Sequence, residues 1–211
     1  MADFVKAHNL VMIHEGGYQA NEADSGNYAC GQLVGTKYGI SAPTLQTWTG
    51  RCPSPDEMKN LSKETARLIY KERFWDKLGL DYVENQSVAE IIYDCYVNQT
   101  GYTLGILRMA LEKQGFFIYP VIPFDHDTII SINNADQKQL FDDIKEGRRQ
   151  KYLYQASKPS QSVFLEGWLK RLNKFEFGFF QKSKYYLFSV VLVVTLGIGI
   201  LMYLNKKELV V

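Results

Sequence analysis

The sequence predicts a mainly α, α+β protein: a helical body carrying one small hairpin, a short helical satellite, and an apolar helix at the C-terminal end. Three observations carry that reading. Apolar residues recur at helical spacing behind recognisable caps through most of the chain. The stretch from Gln19 to Gly39 is rich in Gly, Asn, Ser and Tyr and is the one place that suits a hairpin. Residues 185 to 204 are twenty in a row without a charge.

Taken in order, Phe4, Val5, His8, Val11 and Met12 predict an amphipathic helix from about Asp3 to His14, closed by Gly16-Gly17. Ser54-Pro55-Asp56-Glu57 reads as a capping box with proline at the first helical position, and Ser87-Val88-Ala89-Glu90 reads as another. Ser62 opens a helix through Trp75 with Ala66, Ile69, Tyr70 and Phe74 on its apolar face. After Gly101, a short helix bearing Leu104, Leu107 and Leu111 ends at Gly115. The run Phe116 to Pro123 marks a boundary. Beyond it, Asn134 is placed to cap a helix carrying Leu140, Phe141, Ile144 and, after Gly147, Tyr152. Ser157-Lys158-Pro159-Ser160 breaks that helix, and another begins near Ser162 with Trp168 as a packing anchor or, less favoured, a sugar platform.

The segment with most chemistry is His14-Glu15-Gly16-Gly17-Tyr18, followed by Asp24 and then Gly35-Thr36-Lys37-Tyr38-Gly39. Glu15 falls in the last turn of a helix, at the negative end of its dipole, and partial burial beside Tyr18 adds desolvation. Both favour the protonated form that a general acid needs. Asp24 sits in a polar run suited to a charged second carboxylate, Glu22 is its substitute, and Thr36 offers a hydroxyl on the loop beyond. Paired carboxylates of this kind suit cleavage of a glycosidic bond.

These motifs resemble the glycoside hydrolase 108 muramidases, in which the Glu of the Glu-Gly-Gly-Tyr segment is the catalytic acid. Ile69-Tyr70 to Trp75 and Asp94 to Gly101, with Val97-Asn98 inside it, look like two further family segments, and Gly167-Trp168 with Arg171 is similar to the signature of the peptidoglycan-binding module that usually follows. The spacing of Glu15, Asp24 and Thr36 also resembles the acidic pair and threonine of phage-type lysozymes. The likeness implies a lysozyme-like muramidase domain at 1–115, with Glu15, Asp24 and Thr36 catalytic and Tyr18 and Asn98 binding substrate. It implies a peptidoglycan-binding-like module at 116–180. Asn98 has an alternative task, holding the turn that follows it. Two departures stand out: residues 27 to 34 are inserted between Gly26 and Gly35-Thr36, and the run Asp125 to Asn133 lacks the glycines of the module's signature.

With 24 Lys+Arg against 23 Asp+Glu the net charge is +1, which offers no long-range attraction to nucleic acid. Cys30, Cys52 and Cys95 are odd in number and lack metal-ligand spacing, so they read as reduced thiols. Tyr18 stands where a zinc protease motif needs a second histidine, and His8 and His126 read as packing or surface residues. No metal and no cofactor is expected.

Residues 185–204, flanked by Lys182, Lys184, Lys206 and Lys207, read as a transmembrane helix. No apolar signal segment opens the chain, so a single-pass C-terminal anchor in the inner membrane is expected, with the side of the soluble part open. The expected partners are peptidoglycan, the lipid bilayer through 185–204, and a lysis or secretion apparatus. The expected function is a membrane-anchored peptidoglycan hydrolase for lysis or wall remodelling; the alternative is a non-catalytic wall-binding or assembly protein that retains the fold.

Overall fold

The computed structural model describes residues 1–12 and 16–178. His14, Glu15 and the apolar run at 185–204 therefore lie outside the described residues. The chain divides into two compact units, Met1–Glu176 and Phe177–Val211, and the elements below belong to the first. Among the described residues, no helix is long and apolar enough to cross a membrane.

Helices α1 (Phe4–Met12), α2 (Ala42–Thr49), α3 (Pro55–Lys59), α4 (Lys63–Tyr70), α5 (Asp76–Leu78), α6 (Gln86–Gln99) and α7 (Thr103–Glu112) make up the first part of this unit, with strands β1 (Tyr28–Ala29) and β2 (Gln32–Leu33) between α1 and α2. Then follow α8 (His126–Asn134), α9 (Gln137–Ala156) and α10 (Leu165–Asn173). The two strands pair antiparallel, Tyr28 opposite Leu33 and Ala29 opposite Gln32. The hairpin thus falls in the predicted loop, inside the inserted residues.

α6 is the central element. Val88, Ile91, Ile92, Tyr93, Asp94, Cys95 and Tyr96 are all buried, so the helix is covered on every side rather than along one stripe. α1 packs against it through Phe4, whose ring meets Tyr93 and Trp75 edge-on. His8 stacks on Phe4, 5.1 Å between centroids, and its Nδ1 lies 3.2 Å from the Tyr93 hydroxyl. Burial, with the Arg67 charge second, pushes this imidazole down to about 4, so it packs as a neutral ring. α4 continues through a wide π turn at Lys71–Trp75 into α5. That turn puts Trp75 into the core, where its indole N–H donates to Asp81 Oδ1 at 2.7 Å.

The caps follow local chemistry, with two corrections. Ser54 and Glu57 form the expected capping box, and Ser62 caps α4 by accepting from the Thr65 amide. At α6, however, the cap is Asn85, which accepts from Val88 N at 3.1 Å, and Ser87 is buried in the first turn. An amide two residues upstream had equal capping chemistry and wins because Ser87 faces the core. At α9 the cap is Asp136, accepting from Gln139 N at 2.8 Å. Asn134 instead ends α8, which Asp125 opens by accepting from Thr128 N at 2.9 Å. The run that lacks the module's glycines is therefore helical.

α9 runs unbroken through Gly147 and packs on α6, α7 and α10. A Cβ at Gly147 would stand 3.0 Å from Ile106 Cγ2, so the glycine is what lets α7 approach here. The inward face of α9 reads Leu140, Phe141, Ile144, Arg148 and Tyr152. An arginine in that series is unexpected, and it is fully buried. Its Nη2 donates to Asp94 Oδ2 at 2.5 Å and its Nε to Gln99 Oε1 at 3.0 Å. The other Asp94 oxygen accepts from Arg171 of α10 through Nε at 3.0 Å and Nη2 at 2.9 Å. One carboxylate on the central helix therefore holds α9 and α10.

Candidate active site

The site predicted from sequence is built on the chain between α1 and α2. Gly16, the first described residue after Glu15, gives its carbonyl to the Tyr38 amide at 3.1 Å. Two residues after Gly17, Gln19 and Thr36 exchange both backbone hydrogen bonds, Gln19 N to Thr36 O at 2.9 Å and Thr36 N to Gln19 O at 2.8 Å. The Glu-Gly-Gly-Tyr segment and the Gly-Thr-Lys-Tyr-Gly segment, separated by an insertion in sequence, are thus stitched side by side.

Tyr18 locks this junction. Its hydroxyl donates to the Val34 carbonyl at 3.3 Å, and its ring lies against Gly35. Gly35 has φ +91°, and a Cβ there would fall 2.6 Å from Tyr18 Cε2 and 2.7 Å from the Gln19 carbonyl oxygen. No L side chain fits. Lys59 Nζ stands 5.7 Å from the centre of the Tyr18 ring. Tyr18 is half-buried.

Asp24 is exposed and caps the short turn Ser25–Asn27, its Oδ1 accepting from Gly26 N at 2.9 Å. Glu22 is exposed beside it, and its backbone carbonyl accepts from the Tyr28 hydroxyl at 3.2 Å. The residue that shapes this loop was not singled out from sequence: Asn27 is fully buried. Its side chain exchanges hydrogen bonds with Gln19 at 3.1 and 3.0 Å and donates to Asn21 O at 2.9 Å. Its own carbonyl accepts from Val34 N and Gly35 N at 2.8 and 2.9 Å. Asn27 therefore ties the loop bearing Asp24 to the segment bearing Tyr18 and Gln19 and to the approach to Thr36. An asparagine among loop residues gives no sequence signal for such a task, because its partners are set by the fold.

The cysteine expectation is corrected. Cys30 and Cys52 form a disulfide, Cα atoms 6.0 Å apart, that joins the hairpin tip to the connection between α2 and α3. Only Cys95 is a free thiol among the described residues, and burial pushes its pKa up. An odd count hides one pair and one spectator, since proximity rather than number decides pairing. The bond closes a loop with a sequence separation of 22, which in the chain-entropy model is worth about 3 kcal/mol. Cys30→Ser is accordingly expected to lower the melting temperature of the oxidised protein by several degrees, and added reductant should move wild type to the same value. A mutant melting at the oxidised wild-type temperature would rule the tether out as a stabilising element.

Asn98 is exposed near the end of α6, and its amide donates to Asp94 O at 2.9 Å and Asp94 Oδ1 at 3.0 Å. It lines a groove with Tyr152, Trp168 and Arg171. Within that groove Trp168 stacks on Tyr152, 5.3 Å between centroids and 20° between planes. The motif around Asp94 and Asn98 and the one around Trp168 and Arg171 thus meet on one carboxylate. Among the described residues no cluster of His, Cys, Asp and Glu could hold a metal ion.

With this geometry in view, residues 8–100 match the family model of glycosyl hydrolase 108, a range that spans the hairpin, the Tyr18–Thr36 junction and all of α6. The matched segment is somewhat less than half of the chain. The fold is similar to that described as the structure of Brucella abortus SagA, with a TM-score of 0.65 and 23% identity, covering 82% of this chain and 90% of that one. No curated protein matches the chain.

Proposed function

We propose that the protein is a peptidoglycan hydrolase that cleaves the β-1,4 bond between N-acetylmuramic acid and N-acetylglucosamine. The observation that carries this reading is the pairing of the two halves of the acid motif, Gly16 with Tyr38 and Gln19 with Thr36, inside the segment that matches the hydrolase family. Glu15 is the general acid, adjoining the pinned Gly16. Asp24 is the ionised partner, with Glu22 as its substitute, and Thr36 orients water or substrate from the paired strand. Tyr18, half-buried at the junction, offers its ring to a sugar.

The apolar run at 185–204 anchors the chain in the inner membrane, with a lysis or secretion apparatus as a further partner. The soluble part faces an oxidising compartment. Cys30 and Cys52 are both exposed and paired, and such bonds persist outside the reducing cytosol. That placement puts the hydrolase on the side where the wall lies.

The test is direct. Full-length protein in mild detergent, added to purified sacculi, is expected to clear turbidity and to leave N-acetylmuramic acid at the new reducing ends, read by borohydride reduction and mass spectrometry. N-acetylglucosamine at those ends would assign the other glycosidic bond. Binding without clearing would make this a non-catalytic wall-binding protein instead.

A further inference from the structure

We infer that Lys37, Lys59 and Lys63 form a specificity subsite beside the acid motif, one that reads the carboxylates borne on the lactyl arm of N-acetylmuramic acid. The inference rests on the hydrolase reading above and adds to it the residues that tell the acidic sugar from its neutral neighbour. Three segments bring these lysines together. Lys37 follows Thr36 on the paired segment, Lys59 ends α3 and Lys63 opens α4. The amino groups of Lys37 and Lys63 stand 5.0 and 5.9 Å from the centre of the Tyr38 ring, and that of Lys59 stands 5.7 Å from the centre of the Tyr18 ring. Lys37 Nζ also donates to the Lys59 carbonyl, which ties the paired segment to the end of α3.

The turn that carries Tyr38 is the first pointer to a ligand. Lys37 and Ile40 exchange both backbone hydrogen bonds, at 3.2 and 2.9 Å, and Tyr38 and Gly39 between them have φ +51° and +70°. Glycine takes that region freely, whereas a tyrosine there is an outlier that local stability disfavours. Its ring is kept at the point where two lysines meet, and its amide is bonded to Gly16, next to the acid. Charge is the second pointer. Three ammonium groups around two rings repel one another, and Asp56, 3.6 Å from Lys59, is the carboxylate that offsets them. Among the described residues Lys37 and Lys63 form no ion pair, although Glu64 follows Lys63 on α4. Such a cluster is disfavoured in the free protein and favoured once an anion sits among the three. A wall strand alternates neutral N-acetylglucosamine with N-acetylmuramic acid, whose lactyl ether ends in a carboxylate or in a peptide that carries carboxylates. With a sugar against Tyr18, an acidic arm meets the lysines and a neutral sugar does not. Because the two sugars alternate, that choice also sets which glycosidic bond is presented to the acid.

The test measures binding by full-length Glu15→Gln protein in mild detergent, so that strands stay intact. The probes are chitohexaose, peptide-free wall strands and peptide-bearing wall strands, the last two with free and with amidated carboxylates. Free-carboxylate strands are expected to bind about tenfold tighter than their amidated forms and than chitohexaose, the scale of one or two charge-assisted contacts at an exposed site. A preference confined to the peptide-free pair assigns the lactyl carboxylate and one confined to the peptide-bearing pair assigns the stem; both support the subsite. Lys63→Glu should lower the ratio of free to amidated affinity about tenfold, and Asp56→Asn, which removes the offsetting charge, should raise it about twofold. Both positions are exposed, and a merely structural role would not move the ratio in opposite directions. Equal binding of free and amidated strands, or a ratio untouched by both variants, would overturn the subsite. Displacement of the strands by inorganic phosphate at equal concentration would show a general anion patch and overturn the assignment to the sugar. If wild type fails to cleave sacculi but the preference and its response to the variants hold, the hydrolase reading falls and the subsite stands. If sacculi are cleaved and the preference is absent, the subsite alone falls.

Discussion

Glu15→Gln is expected to abolish wall cleavage while leaving the melting temperature unchanged. The amide keeps the shape of the side chain but cannot deliver a proton to the leaving oxygen, and a positioned acid is typically worth roughly 10²- to 10⁴-fold in rate. Glu15 itself lies outside the described residues, and the described segments before and after it are both held. On one side α1 is held to the core by Phe4, Ala7, His8 and Val11. On the other, the Gly16 carbonyl is bonded to the Tyr38 amide. Retention of more than about a tenth of the wild-type rate would remove Glu15 from the acid role, since even the lower end of that range exceeds tenfold. Asp24→Asn is expected to slow turnover as well. Should it not, Glu22→Gln on the same exposed loop is the next variant, because the two carboxylates share one polar run.

Much of the architecture could be read from local sequence because local chemistry decides it. Ser54 with Glu57, and Ser62 with the Thr65 amide, satisfy helix ends within three residues, and a hairpin needs only a turn between short strands. The failures share a cause: their partners are distant. Asn85 and Ser87 are equally plausible caps until the core claims one face of the helix. Cys30 finds Cys52 only after the hairpin and the α2–α3 connection have been brought together. Arg148 stands in the polar run Glu146-Gly147-Arg148-Arg149, where nothing local marks it as buried. Its carboxylate partner lies 54 residues earlier in sequence. In the candidate site, Glu15, Tyr18 and Thr36 stand in motifs recognisable by residue type, whereas the residue types of Asn27, the loop's hub, and Asp94, the hub of the three helices, carry no signature of those tasks. Asp94 did stand inside a quoted motif, but its task became visible only with Arg148 and Arg171 around it.

Asp94→Ala is expected to be the most destabilising single change in the described fold. Both Asp94 and Arg148 have side chains at 0% exposure, so removing the carboxylate strands a guanidinium in the core. Burial works against the Arg148 charge, but the Asp94 carboxylate outweighs it and holds the guanidinium proton more firmly than usual. An arginine is not deprotonated in proteins even without such a partner, so the charge stays when Asp94 goes. Breaking a buried pair from one side typically costs about 3 to 5 kcal/mol. In a domain of this size, a loss on that scale corresponds to a drop on the order of 10 °C in melting temperature. The substitution also releases Arg171 and the Asn98 amide, so α10 loses its tether to α6 and the groove loses its floor. A ranking separates this account from a simple packing defect. Arg148→Met removes the buried cation but leaves Asp94 with Arg171 and Asn98, so it should cost less than Asp94→Ala. Arg171→Ala leaves the Asp94–Arg148 pair intact, removes a partly exposed cation, and should cost least. If Arg148→Met proved more damaging than Asp94→Ala, the volume of the arginine rather than the unpaired charge would be what the core needs. Melting curves of the three variants at neutral pH decide it, and the pair Asp94→Leu with Arg148→Met should recover part of the loss by removing both buried charges at once.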